Sequence, residues 1–184
     1  MGGYGRGVGW SVTPVRPSFV LHYSEDASIE VFEPHVPTTN STSVPLVWAI
    51  EPRYAPLYWF PRACPRVAVW ANNLAQRAAV TARWGTTSDR VQFADRADEQ
   101  WIRSTPLFEY TFDPDDFEAW PQAEGQWVAT RAVRPRARRS LADAVDVQRS
   151  AGVDLRLVDN LDAVRIGVIE SRLPFSIVRW AQRT

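Results

Sequence analysis

A chain of 184 residues, 45% hydrophobic and 23% charged, has the composition of a folded protein and the length of one domain. Its 21 basic and 21 acidic residues cancel, which removes any global attraction to nucleic acid or to an anionic membrane. All 21 basic residues are arginine, so a Schiff-base lysine, a pyridoxal-phosphate lysine and a Walker-type phosphate loop are excluded.

Anion recognition must therefore use arginine forks or backbone N–H groups. Cys64 is the only cysteine, which rules out an intrachain disulfide and a thiolate zinc cluster. His22 and His35 are the only histidines, and their spacing matches no helical metal-binding pair, so no metal is expected. No apolar run reaches the ~18–20 residues of a membrane span and the N-terminus shows no signal-peptide core, so the expected location is the cytoplasm.

In chain order, residues 1–17 read as a flexible arm of alternating glycines closed by Pro14 and Pro17, and residues 18–184 as a single domain. Phe19 to Tyr23 is a short apolar run fit for a buried strand. Ile29 to Phe32 is extended or turn-like, and residues 37–45 are a loop by composition. Leu46 to Ile50 and Val67 to Trp70 are the second and third strands.

From Asn72 to Asp95 the pattern is weak, an alanine-rich helix broken at Gly85-Thr86-Thr87-Ser88. Ala97 to Arg103 predicts a helix, Leu107 to Phe112 a strand, and Asp113 to Asp116 an acidic turn. Gln126 to Val133 is a further strand. Ser140 and Asp143 fit a capping box that starts a helix stopped at Gly152. Val153 to Val158 alternates as a strand, while Leu161, Val164 and Val168 share one helical face. Pro174 to Trp180 closes the chain as a strand. The expected class is α+β, with a mainly antiparallel or mixed sheet and a few helices.

The chemistry concentrates between the second and third strands, where Tyr58, Trp59 and Phe60 run into Arg62, Cys64 and Arg66 with prolines on each side. Proline fixes φ and removes a donor, so this segment is a stiff loop that offers guanidinium groups beside aromatic faces. Such a surface suits a planar anionic ligand such as a nucleotide.

The segments around His22-Tyr23, Ile29–Pro34, Pro45–Ile50, Phe60–Val67, Trp127–Ala129 and Phe175–Arg179 resemble a bacterial family, domain of unknown function 6886, over residues 19–180. The resemblance implies an acid before the cysteine of this loop, a place taken here by Ala63. The strand ending in His-aromatic-Ser and the Pro-Arg-x-x-Pro loop are also similar, more distantly, to the ADP-ribosyltransferase superfamily. That similarity implies an ADP-ribosyltransferase-like fold with NAD as substrate. It gives His22 and Tyr23 the ribose and nicotinamide roles, and makes Glu170 or Glu124 the late glutamate. Trp48, Tyr58, Trp59, Arg62, Cys64, Arg66 and Trp127 are the candidate ligand contacts, and His22, Tyr23 and Glu170 the candidate catalytic groups.

Each residue also has a plainer role open to it. His22 is either a ligand anchor or a core histidine bonded to a carbonyl. Cys64 is either a thiol activated by Arg62 and Arg66 or, the favoured reading, a buried free cysteine. Arg62 and Arg66 either clamp a diphosphate or tie down their own loop. Arg131, Arg134, Arg136, Arg138 and Arg139 form a strip for phosphate or nucleic acid, or, preferred here, a solvated run that balances the acidic turn. The function is thus a nucleotide-binding enzyme that cleaves a glycosidic bond, or a non-catalytic module for a small anion or a protein, with thiol or acyl chemistry at Cys64 a third and less favoured reading.

Overall fold

The computed structural model describes residues 16–36 and 44–180. Most of the glycine-rich arm and of the loop at 37–45 lies outside the described residues. At the arm's end Arg16 is anchored: its Nη2 donates to the Pro114 carbonyl and, at 3.1 Å, to that of Phe117, and its Nε pairs with Asp115 at 3.2 Å.

The described residues form two sheets with helices, an α+β architecture. The first sheet holds β1 (Val20–Ser24), β2 (Val47–Ile50), β5 (Phe108–Phe112), β6 (Glu118–Ala119), β7 (Gln126–Ala129) and β8 (Ala137–Ser140). Its order is β6-β7-β2-β1-β5-β8, antiparallel throughout. The second holds β3 (Arg66–Trp70), β4 (Arg90–Asp95), β9 (Asp154–Val158) and β10 (Phe175–Val178) in the order β10-β3-β4-β9, with one parallel pair, β4·β9. Helices α1 (Leu74–Trp84), α2 (Glu99–Ser104), α3 (Ala144–Ser150) and α4 (Leu161–Ser171) complete the chain.

The chain thus visits the first sheet (β1, β2), then the second (β3, β4), returns to the first (β5 to β8) and ends in the second (β9, β10). One face of the first sheet packs Val20, Val47, Tyr110, Phe112 and Trp127 against Phe32, Phe117 and Val133. The second sheet buries Val67, Val69, Val91 and Phe93 under Val80 of α1 and Leu161 and Val168 of α4. Leu21 and Ile50 meet Ala68 through Tyr54, Leu57 and Trp59, so the segment after β2 is the apolar mortar between the sheets.

Two expectations are corrected. Residues 90–95 are a strand, β4, lying between β3 and β9 with five of its six residues buried. Ser140 ends β8 rather than opening a helix. The cap of α3 is Asp143, whose carboxylate accepts from the Val145 and Asp146 N–H groups.

Candidate functional site

β1 and β2 share a single register pair, Leu21↔Ile50. Where that ladder stops, a cleft of about 480 Å³ opens. One wall comes from the end of β1 and the segment that follows it, with His22, Tyr23, Glu25 and Phe32. Trp48 of β2 and Tyr58, Phe60, Arg62 and Arg66 of the proline-bounded segment form another. Val178 and Arg179, at the end of β10, complete it. A 3-10 helix at Pro52–Tyr58, started by Pro52 and containing Pro56, explains how the aromatic run is presented: its prolines stop it from continuing either strand.

His22 Nδ1–H donates to the Trp48 carbonyl at 2.8 Å, and a carbonyl can only accept. The neutral ring therefore keeps an unprotonated Nε2 as an acceptor. Burial, reinforced by the Arg62 charge, pushes its pKa from 6.5 down to about 4. A histidine that stays neutral when folded but is protonated when unfolded destabilises the fold as pH drops below 6.5. Wild-type stability is expected to fall relative to His22→Gln by about 1–2 kcal/mol between pH 7 and pH 5, read by urea denaturation at each pH. Parallel pH curves for the two proteins would refute this.

Tyr23 Oη donates to Glu109 Oε2 at 2.7 Å. Glu109, opposite it in register on β5, is held in turn by Arg139, Nε to Oε1 at 2.6 Å and Nη2 to Oε2 at 3.0 Å. Burial first, and then the Glu109 carboxylate, push the phenol well above its usual range, so it stays protonated. Its hydrogen is committed to Glu109, on the face of β1 where Tyr23 packs with Leu21 and Trp59. As consecutive residues of β1, His22 and Tyr23 turn to opposite faces of the strand, His22 beside Phe32 and Tyr23 beside Trp59, so the acceptor carried by His22 stands alone.

Arg66 is 6% exposed, and its guanidinium lies 5.1 Å from the centre of the Phe60 ring. Its Nε donates to the Leu57 carbonyl at 2.9 Å and its Nη1 to that of Cys64 at 3.0 Å. Burial lowers its pKa to about 10, which leaves it charged at neutral pH. Arg62 is exposed and makes no ion pair with the described residues; its backbone N–H donates to Glu25 Oε1 at 2.6 Å. Arg179 Nε donates to the Arg62 carbonyl at 2.9 Å from a backbone at φ 58°, a left-handed conformation uncommon outside glycine.

Six of the residues singled out in the sequence therefore border one cleft: His22, Tyr23, Trp48, Tyr58, Arg62 and Arg66. Four do not. Trp59, 8% exposed, backs Tyr23 edge-on with ring centres 6.5 Å apart. Trp127 is buried in the first sheet and donates Nε1–H to Glu51 Oε1 at 2.9 Å. Glu170 lies on α4, 3.6 Å from Arg83 and off the cleft. Cys64 is fully buried, and burial pushes its thiol up to about 12 despite Arg66 nearby, which fits the favoured buried free cysteine and not an activated thiol. Glu109 and Arg179 escaped the sequence reading. An acid at the centre of the run Phe108-Glu109-Tyr110 was the signal for the first, whereas the second has none.

The arginine-rich strip is largely paired. Arg131 meets Asp116 at 2.6 Å, Arg136 meets Asp113, Arg139 meets Glu109, and Arg138 donates to the Ala27 carbonyl. Among the described residues no three His, Cys, Asp or Glu side chains are grouped to hold a metal, and no helix is long and apolar enough to cross a membrane.

No curated protein and no solved structure matches the chain. A family model does, over residues 21–182, a span that takes in every residue of the cleft. The chain belongs to the family of unknown function DUF6886.

Proposed function

We propose that the cleft binds a nucleotide carrying a diphosphate, with NAD or ADP-ribose the ligands best suited to its groups. The observation that carries this reading is that one cleft is bordered by a histidine able to accept a hydrogen bond, His22, by two aromatic residues, Trp48 and Tyr58, and by three arginines, Arg62, Arg66 and Arg179. Ribose hydroxyls supply donors to the first, a base or nicotinamide a flat face to the second, and phosphates the counter-charge to the third.

The chemistry such a site favours is cleavage of the bond between ribose and nicotinamide, as in ADP-ribosyltransferases, by positioning and by stabilising a cationic ribose. Glu25 and Glu33 are the glutamates that border the cleft, and they replace Glu170 as candidates for the supporting carboxylate. A second reading, a binding module without catalysis, is favoured by one observation: Glu25 is already turned onto the Arg62 backbone N–H.

Titration with NAD and with ADP-ribose, followed by tryptophan fluorescence and by assay of released nicotinamide, separates the two. Saturable binding with nicotinamide release, abolished in His22→Ala, is the result expected of an enzyme. Binding without release leaves the module. No binding of either compound removes the nucleotide reading.

A further inference from the structure

We infer that Arg66 and Arg179 form a built subsite for a tetrahedral oxyanion, a phosphate or one phosphoryl unit of a diphosphate, at the inner end of the cleft. The inference deepens the nucleotide reading but does not depend on it, because it rests on how the two arginines are already bonded.

A buried guanidinium is ordinarily matched by a carboxylate. Arg66 has none: its Nε and Nη1 each hold a main-chain carbonyl, Leu57 and Cys64, and its Nη2 has no partner among the described residues. The residue is 6% exposed and borders the cleft, so an unmatched positive charge faces that space. Arg179 borders it too, with its Nε used on the Arg62 carbonyl and both of its Nη groups unassigned. The proximity of the two like charges is one reason the Arg66 proton is held less tightly than usual, after burial itself.

The pattern of occupied donors selects the ligand's shape. A planar carboxylate binds arginine best through the Nε and Nη edge of one fork. In both residues Nε is already taken by a carbonyl. What remains are the Nη groups, several N–H donors on two separate side chains that border one cleft, which a tetrahedral oxyanion can accept on different oxygens. The acids on the same cleft, Glu25 and Glu33, are exposed, and Glu25 is engaged by the Arg62 N–H. Arg179 holds a left-handed backbone while its Nε reaches the Arg62 carbonyl, and such local strain is common where a site is held ready.

The test is calorimetric titration of the folded full-length protein with inorganic pyrophosphate at low salt, repeated with ADP-ribose. The variants are Arg179→Gln, Arg66→Met and, as an unrelated exposed arginine, Arg134→Gln. Wild type and Arg134→Gln are expected to bind pyrophosphate alike, with at least tenfold weaker binding in Arg179→Gln and none in Arg66→Met. If Arg66→Met fails to fold, Arg179→Gln alone decides.

Absence of pyrophosphate binding by wild type overturns the inference. So does equal weakening in Arg134→Gln, which marks non-specific charge attraction, and so does full binding in Arg179→Gln. Pyrophosphate binding without ADP-ribose binding keeps the subsite and removes the nucleotide reading. ADP-ribose binding undiminished in Arg179→Gln does the reverse.

Discussion

Replacing Gly125 by alanine is expected to destabilise the fold by about 3–5 kcal/mol, combining a left-handed backbone with an overpacked contact. Gly125 sits at φ 76°, and a methyl group there would lie 2.0 Å from Cδ2 and 2.4 Å from Cε2 of Tyr54. That ring cannot step aside. Tyr54 is 2% exposed, has the Trp70 ring against it at 6.0 Å, and sits beneath the Arg90 guanidinium at 6.0 Å. The Gly125 carbonyl also accepts the Glu51 N–H at 2.8 Å, at the mouth of the segment that leads to Tyr58. Gly152→Ala is the control: its φ is 75°, but nothing lies within 4 Å, so the loss expected there is about 1–2 kcal/mol. Urea denaturation of both variants measures the difference, and equal losses would show that the Tyr54 contact is unimportant.

Gln148→Leu is expected to cost about 2–3 kcal/mol, because it leaves a buried carbonyl without its donor. Gln148 is fully buried on α3; its Nε2 donates to the Trp59 carbonyl at 3.0 Å and its Oε1 accepts from Gln92 Nε2 at 3.1 Å. Gln92, on β4, donates also to the Pro56 carbonyl at 3.0 Å. Two glutamines thus take the place of a β-ladder for a segment whose prolines prevent one. Leucine keeps the volume but abandons Trp59, between Tyr58 and Phe60 in the cleft wall. Denaturation midpoints of wild type and variant report the loss; a change below about 0.5 kcal/mol, the size of an ordinary surface substitution, would show that the carbonyl finds another partner.

The same glutamine accounts for one expectation that went astray. β4 carries Arg90, Gln92 and Asp95, polar enough to hide a strand, although Gln92 is fully buried and Arg90 is 6% exposed. Their partners come from segments distant in the chain, and local alternation carries no trace of them. Ser140 misled for a related reason: its spacing to Asp143 mimics a capping box, but residues 137–140 are drawn into pairing with β5, and the cap passes to Asp143. Where burial is continuous and apolar, as for Leu161 and Val168 along one face of α4 or Val20 and Leu21 on the two faces of β1, the pattern was readable. The cleft was legible to the extent that its residues cluster in sequence. His22 adjoins Tyr23 and the arginines follow the aromatics, whereas Glu109 and Arg179 arrive only through strand register and an unusual φ.

The alternation of the chain between its two sheets bears on how it folds. β3 remains an uncovered edge until β10, more than a hundred residues later, pairs with it, and β4 waits similarly for β9. No early stretch of the chain holds a finished sheet. Pairings so distant close large loops before they are rewarded, which places refolding in the slow range of about milliseconds to seconds. On a ribosome making about 5–20 residues per second, this sequence exposes unpaired apolar strands for several seconds, and that interval is when it is most open to chaperones and to aggregation.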